Sequence, residues 1–302
     1  MPLYVSIFEN SNLSAVIPLM QVRSWLTGKR AVSLPFSDFC KPLVKDENLF
    51  RDLFDYMINL AKTKFWSYIE LKGSENFLDE DKNSLVEYHH SLKLSKDLEM
   101  LFSSFSSNTR RNIKKAEREN LQISMSNSLN ALKVFYKLNC ITRKRHGLPP
   151  QPFSFFKNLH KYILSNQLGF VVNASFENKI IASAVCLLFG KKAIYKFGAS
   201  DMNYQNLRAN NLVMWRAISW CAENGYEDFS FGKTEAENDG LRRFKNGWNT
   251  KEYELKTYRY DLKASQFIKL KTKTHGNHNK YFSALPIPVL KVIGRLIYRH
   301  LG

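Results

Sequence analysis

Tyr195-Lys196-Phe197-Gly198-Ala199-Ser200-Asp201, then Gln205 to Asn211, then Leu212 to Asn224, then Phe229-Ser230-Phe231-Gly232, and finally Gly240-Leu241-Arg242-Arg243-Phe244-Lys245-Asn246-Gly247-Trp248 decide the fold of this chain. An apolar strand runs into a polar loop, a Trp-bearing helix, a second strand and a basic turn. This order suits an anion held at the open end of a sheet, because the unpaired amides and dipole of a helix N-terminus face that end.

Upstream of this stretch, residues 169–176, 180–189 and 193–197 read as three apolar strands. They are separated by Glu177-Asn178-Lys179 and Gly190-Lys191-Lys192, turns short enough to make an antiparallel meander. Before them come a strand at 121–125 and helices at 128–146 and 152–165, broken by Gly147-Leu148-Pro149-Pro150. Downstream, Gly225 stops the helix at 212–224, and a strand at 228–232, a short helix at 239–246 and a strand at 252–261 follow. The order of this second unit is therefore β-α-α-β-β-β-α-β-α-β. The first hundred residues read as a smaller α+β unit, with strands at 31–36, 65–71 and 84–94. Between them lies a helix at 49–62 with Leu49, Leu53, Phe54, Met57 and Ile58 on its apolar stripe. The polar hinge Ser103 to Asn108 marks the boundary. The expected division is residues 1–105, 106–262 and a basic linker with a terminal amphipathic helix at 263–302.

With 302 residues, 44% hydrophobic and 14% aromatic content, the chain has material for a packed core. Its net charge of +18 points to an anionic partner, substrate or surface. The basic helix behind the hinge places Arg111, Lys114, Lys115 and Arg118 on one face, either as an anion site or as a solvated face. Cys40, Cys140, Cys186 and Cys221 are widely spaced and read as reduced core residues. His275 and His278 form an HxxH with no further ligand nearby and read as solvated linker, so no metal is expected. No signal peptide or membrane span is apparent, so the chain is expected in the cytoplasm, peripheral at the inner membrane face if it meets membrane.

The chain resembles the GNAT-superfamily acyltransferases of the Fem type, the group of peptidoglycan-bridge aminoacyltransferases and related proteins of surface-polysaccharide and sorting systems. The resemblance is carried by Gly28 to Asp38, Thr109 to Ala116, Thr142 to Pro150 and the segment quoted first. It implies an α+β fold of tandem GNAT-like domains, mixed largely antiparallel sheets flanked by helices, with a reduced N-terminal copy and a fuller C-terminal one. It also implies transfer of an acyl or aminoacyl group to an amine. Acetyl-CoA-using members have glycines in the loop before the central helix, whereas Gln205-Asn206-Leu207-Arg208-Ala209-Asn210 has none. The donor therefore stays open between acyl-CoA and aminoacyl-tRNA.

The resemblance implies that Lys245, with Phe244 beside it, lies by the reacting groups. Its other reading is a surface lysine on a turn with Arg242 and Arg243. Arg208, Asn210 and Asn211 stand at a helix N-terminus with no acidic residue in its first turn, which favours an anion. Asp201 and Glu235 follow strands and are expected to accept a proton or orient the amine, or else to form turns. Tyr195 is a hydrogen-bond donor or core aromatic. Arg243, Lys29 and Arg111 are assigned to substrate or donor binding, and Trp215 and Trp248 to the core. In the tail, Val289, Val292, Ile293, Leu296 and Ile297 share a side and Lys291, Arg295 and Arg299 another. Such a helix docks on its own domain or rests on anionic membrane, with docking preferred. The expected partners are an anionic acyl donor, an amine-bearing envelope precursor and anionic membrane. The rivals are an acetyl-CoA-dependent N-acetyltransferase of surface polysaccharide and a noncatalytic protein that binds nucleic acid or an anionic surface.

Overall fold

A computed structural model describes residues 1–78, 84–270 and 278–300. The chain divides into two compact units, the first made of residues 1–88, 254–274 and 297–302, the second of 89–253 and 275–296.

In the first unit β1 (Pro2–Glu9) and β2 (Asn12–Ser24) form a hairpin. Its two-residue turn places Asn10 and Ser11 in the left-handed region, matching the twist of the strands it joins. Alternation along β2 buries Ala15, Ile17 and Leu19 on one face. β3 (Gly28–Val32), β4 (Leu43–Val44), α1 (Glu47–Lys64) and β5 (Tyr68–Lys72) follow. Asp46 caps α1 by accepting from the Leu49 amide, and Phe50, Leu53, Phe54, Met57 and Ala61 form its buried stripe. The chain leaves the first unit within β6 (Ser84–Lys93).

The second unit continues through α2 (Leu98–Ser104), α3 (Ser107–Arg118), β7 (Gln122–Ser126), α4 (Leu129–Arg145) and α5 (Phe153–Tyr162). Next come β8 (Gly169–Phe176), β9 (Lys179–Phe189), β10 (Lys192–Ser200), α6 (Ala209–Glu223), β11 (Asp228–Glu235) and α7 (Asp239–Asn246). Its strands lie in the order β6-β11-β10-β9-β8-β7. Glu177 and Asn178 both take positive φ in the tight β8–β9 turn. The apolar helix α6 packs on β8, β9 and α3. β12 (Lys251–Asp261) carries the chain back to the first unit, where its residues from Thr257 pair antiparallel with β5, and β13 (Gln266–Phe267) pairs with β12. The first unit's strands run β1-β2-β3-β5-β12. α8 (His278–Ala284) and α9 (Ile287–Ile297) close the second unit.

Several expectations change. The second unit starts at His89 rather than after the hinge, because Ser106 is the N-cap of α3 and lies inside a helical pair with α2, which had not been expected. The strand expected at 31–36 ends at Val32, and Leu34 and Phe36, on either side of Pro35, take positive φ. All four cysteines are free, with three of them buried. His275 lies outside the described residues, and the backbone of His278 opens α8. Among the described residues no helix is long and apolar enough to cross a membrane.

Candidate active site

β10 and β11 pair in parallel for only three positions, Lys192↔Asp228 to Ile194↔Ser230. Beyond Ile194 the β10 register slips against β9 between Tyr195 and Phe197, a bulge at Lys196, and β10 stays with β9 as far as Ser200. A bulge bends its strand, and β11 continues to Glu235 without β10 as a partner beyond Ser230. The 3-10 turn Met202–Leu207 leads from the end of β10 to the N-terminus of α6. Arg208 makes the turn with φ 57° and ψ 25°, its amide bonded to Gln205 O at 3.1 Å and its carbonyl accepting from the Asn211 amide at 2.9 Å. α6 has no side-chain cap and no acid in its first turn. The half-buried Arg208 Nε has no acceptor, and neither does Nε of Arg110 on α3, the helix packed on α6. A buried guanidinium N–H without a partner costs free energy unless an anion meets it.

On the β11 side, Asn238 caps α7. Lys245 is only 4% exposed, and its Nζ donates to Gly232 O at 2.9 Å and Lys233 O at 3.0 Å. Gly232 takes φ 70° there. Phe244 rests edge-on against the buried Trp248, 6.1 Å between ring centroids. Three residues before Lys245, Arg242 donates Nε and Nη2 to the two oxygens of Glu252, at 3.1 and 2.7 Å. His90 Nε2 lies 2.8 Å from the same carboxylate. Arg242 holds the Glu252 carboxyl below its ordinary range. His90 is fully buried, and burial and the Lys245 charge push its pKa down against the opposing pull of Glu252. Its Nδ1 has no hydrogen-bond partner. Neutral His90 therefore donates from Nε2 and keeps a bare lone pair on Nδ1.

A model of a family described as an acetyltransferase (GNAT) domain matches residues 103–254, the segment that contains β10, α6, β11 and α7. The chain belongs to that family.

Two curated transferases and one solved structure are similar to the chain. The chain is 25% identical over 144 residues to the UDP-N-acetylmuramoylpentapeptide-lysine N(6)-alanyltransferase of Weissella viridescens, covering 47% of this chain and 42% of that one. It is 30% identical over 80 residues to the lipid II:glycine glycyltransferase of Staphylococcus saprophyticus, covering 24% and 19%. The matches thus span less than half of the relatives' own lengths. The crystal structure of FemX superposes with a TM-score of 0.64 at 14% identity, over 85% of this chain and 87% of that one. The fold is the expected tandem GNAT-like α+β architecture.

Within the GNAT domain the residues named from sequence fall into distinct settings. Arg208, Asn210 and Asn211 stand at the α6 N-terminus, Asn210 exposed and Asn211 buried. Lys245 is not the surface lysine of its alternative reading, whereas Arg243 is exposed. Asp201 accepts from Lys179 at 2.9 Å and from the Asn203 amide, and Lys179 lowers its pKa, so it is a paired carboxylate rather than an available base. Glu235 ends β11 and is half-buried. Burial pushes the Tyr195 phenol up, which keeps it protonated. Arg111 bonds Asn108 and, with Arg110, Lys114, Lys115 and Arg118, lines a cleft of about 640 Å³ along α3. Lys29 belongs to the first unit, exposed at the start of β3 and 5.6 Å from the Phe65 ring centroid. Trp248 and Trp215 are buried core residues as expected. Among the described residues no group of three metal-ligating side chains occurs.

A Cβ on Gly198 would overlap the Tyr195 hydroxyl. Gly198→Ala is expected to displace that ring and lower stability by about 1–3 kcal/mol. A denaturant midpoint equal to that of the unaltered protein would show that Tyr195 yields freely.

Proposed function

We propose that the protein transfers an acyl or aminoacyl group to an amine of a cell-envelope precursor, either peptidoglycan-like or a lipid-linked amino sugar. The observation that carries this reading is the end of β10–β11 pairing after Ile194, with an uncapped, acid-free helix N-terminus following β10 and a buried lysine bonded to β11. The amides of α6 and the guanidinium of Arg208 bind the donor's phosphate. The acceptor amine attacks the acyl carbonyl. Positive charge at Lys245 stabilises the oxyanion that forms, and Tyr195, kept protonated, donates a hydrogen bond to the leaving group, which takes its proton from water. The amine's proton passes to Glu235 or to water. Phe244 and Arg243 contribute to acceptor binding, and Arg111 and Lys29 to anion binding. The work is done at the cytoplasmic face of an anionic membrane, a setting supported by the charge of +18.

Two donor classes fit. Aminoacyl-tRNA is supported by what the two named relatives transfer, alanyl and glycyl groups. Acyl-CoA is supported by the backbone of Arg208, whose positive φ makes a turn that would otherwise call for glycine. Thermal-shift titrations with acetyl-CoA and with charged tRNA decide between them. One donor is expected to raise the melting temperature of the full chain, and Arg208→Ala is expected to weaken its binding about tenfold, the loss of one charge-assisted bond. No shift with either donor, or an unchanged affinity in Arg208→Ala, would remove the donor role from this helix end.

A further inference from the structure

The C-terminal helix α9 shows two apolar faces. Its docked face is Leu290, fully buried, and Gly294, where a Cβ would overlap Pro150 O. Only glycine permits so close a backbone approach. Of the five apolar residues expected from sequence to dock, Ile293 and Ile297 are half-buried and the other three are turned outward. Val289, Val292 and Leu296 are 43%, 59% and 58% exposed. At about 100° per residue these three share one side, opposite Leu290 and Gly294. Tyr281 on α8 is 74% exposed as well. Water-facing Val, Val and Leu on one turn-spaced stripe add nothing to folding, since the helix is already held by its other side.

The charge around this stripe says what covers it. From Leu262 to Gly302 the sequence has eight Lys and Arg and no Asp or Glu. Lys280, Lys291, Arg295 and Arg299 are exposed on or beside α8 and α9, Lys291 lying 5.4 Å from the Tyr136 ring centroid. A nucleic acid would use the cations and leave the aliphatic stripe wet. A bilayer rich in acidic lipid uses both, cations at the headgroups and the stripe in the acyl boundary. We propose that the outward face of α9, Val289-Val292-Leu296 flanked by Lys291 and Arg295, is the surface by which the protein rests on an anionic membrane. This deepens the functional reading by naming the surface that meets the membrane. Vesicle binding needs no transfer step, so either can fail without the other.

The test is co-sedimentation of the full chain with phosphatidylcholine vesicles, with and without phosphatidylglycerol, read beside its sedimentation in solution. Binding is expected only to the phosphatidylglycerol vesicles, falling as salt rises. Val292→Glu and Leu296→Glu, both at exposed positions, are expected to leave the melting temperature unchanged and lower that binding about tenfold or more. Arg295→Glu is expected to weaken it less. Three results would overturn the proposal: no binding to either vesicle, binding equal in Val292→Glu, or a concentration-dependent dimer that Val292→Glu abolishes, which would assign the face to a second copy of the chain.

Discussion

Lys245→Ala is expected to lower the transfer rate by about a hundredfold or more, the size of effect seen when a donor aimed at a developing oxyanion is removed. The argument rests on burial. A lysine that is 4% exposed has given up hydration, and its Nζ is held by the carbonyls of Gly232 and Lys233 on β11, where that strand has left β10. A surface lysine would be free to swing, but this one is fixed before any substrate arrives. The change also leaves two carbonyls without their donor, costing about 1–3 kcal/mol of stability. Lys245→Arg keeps a charge and separates the two effects. It is expected to recover the unfolding midpoint in larger part than the transfer rate, since guanidinium geometry differs from that of an ammonium. A folded Lys245→Ala protein that transfers at the unaltered rate would reduce Lys245 to a strut between α7 and β11.

Glu252→Ala is expected to destabilise the second unit by about 3 kcal/mol, because it takes the carboxylate away from Arg242 and from a fully buried His90 that lies beside the Lys245 charge. The same cluster gives stability a defined pH dependence. His90 has a folded pKa below the ordinary 6.5, so the unfolded chain binds its proton first, and stability is full above that value and falls as pH drops below it. Glu252, lowered from 4.5, adds a second loss as pH falls through its folded pKa. His90→Gln retains an N–H for Glu252 without a titrating ring. Denaturant midpoints measured from pH 7 to about 5 should fall for the unaltered protein and stay flat for His90→Gln. Parallel curves for the two would place the acid sensitivity elsewhere.

What was legible in the sequence depended on range. The meander of β8, β9 and β10 is bounded by turn residues within a few positions of one another, and α7 begins at its Asn238 cap, so both could be read from neighbours alone. The anion-favouring end of α6 was equally local, since it needed only the missing acids of the first turn. The His90–Glu252 bond spans 162 residues, and nothing in either neighbourhood marks it. Lys245 looks like surface in a run of Arg-Arg-Phe-Lys, and only the return of β11 beneath α7 buries it. Asp201 looked available because its partner Lys179 stands at the far end of a hairpin. For α9, the sequence put Val289, Val292, Ile293, Leu296 and Ile297 on one apolar side, and the contact of Gly294 with Pro150, distant in sequence, set the docked face.

The most direct test is single-turnover transfer by the purified full chain, comparing unaltered protein with folded Lys245→Ala. Acetyl-CoA or charged tRNA would serve as donor, and a peptidoglycan precursor or amino sugar as acceptor. The account predicts transfer to an acceptor amine from one donor class and its loss by about a hundredfold or more in Lys245→Ala. Absence of transfer from every donor, or equal rates in the two proteins, would contradict it.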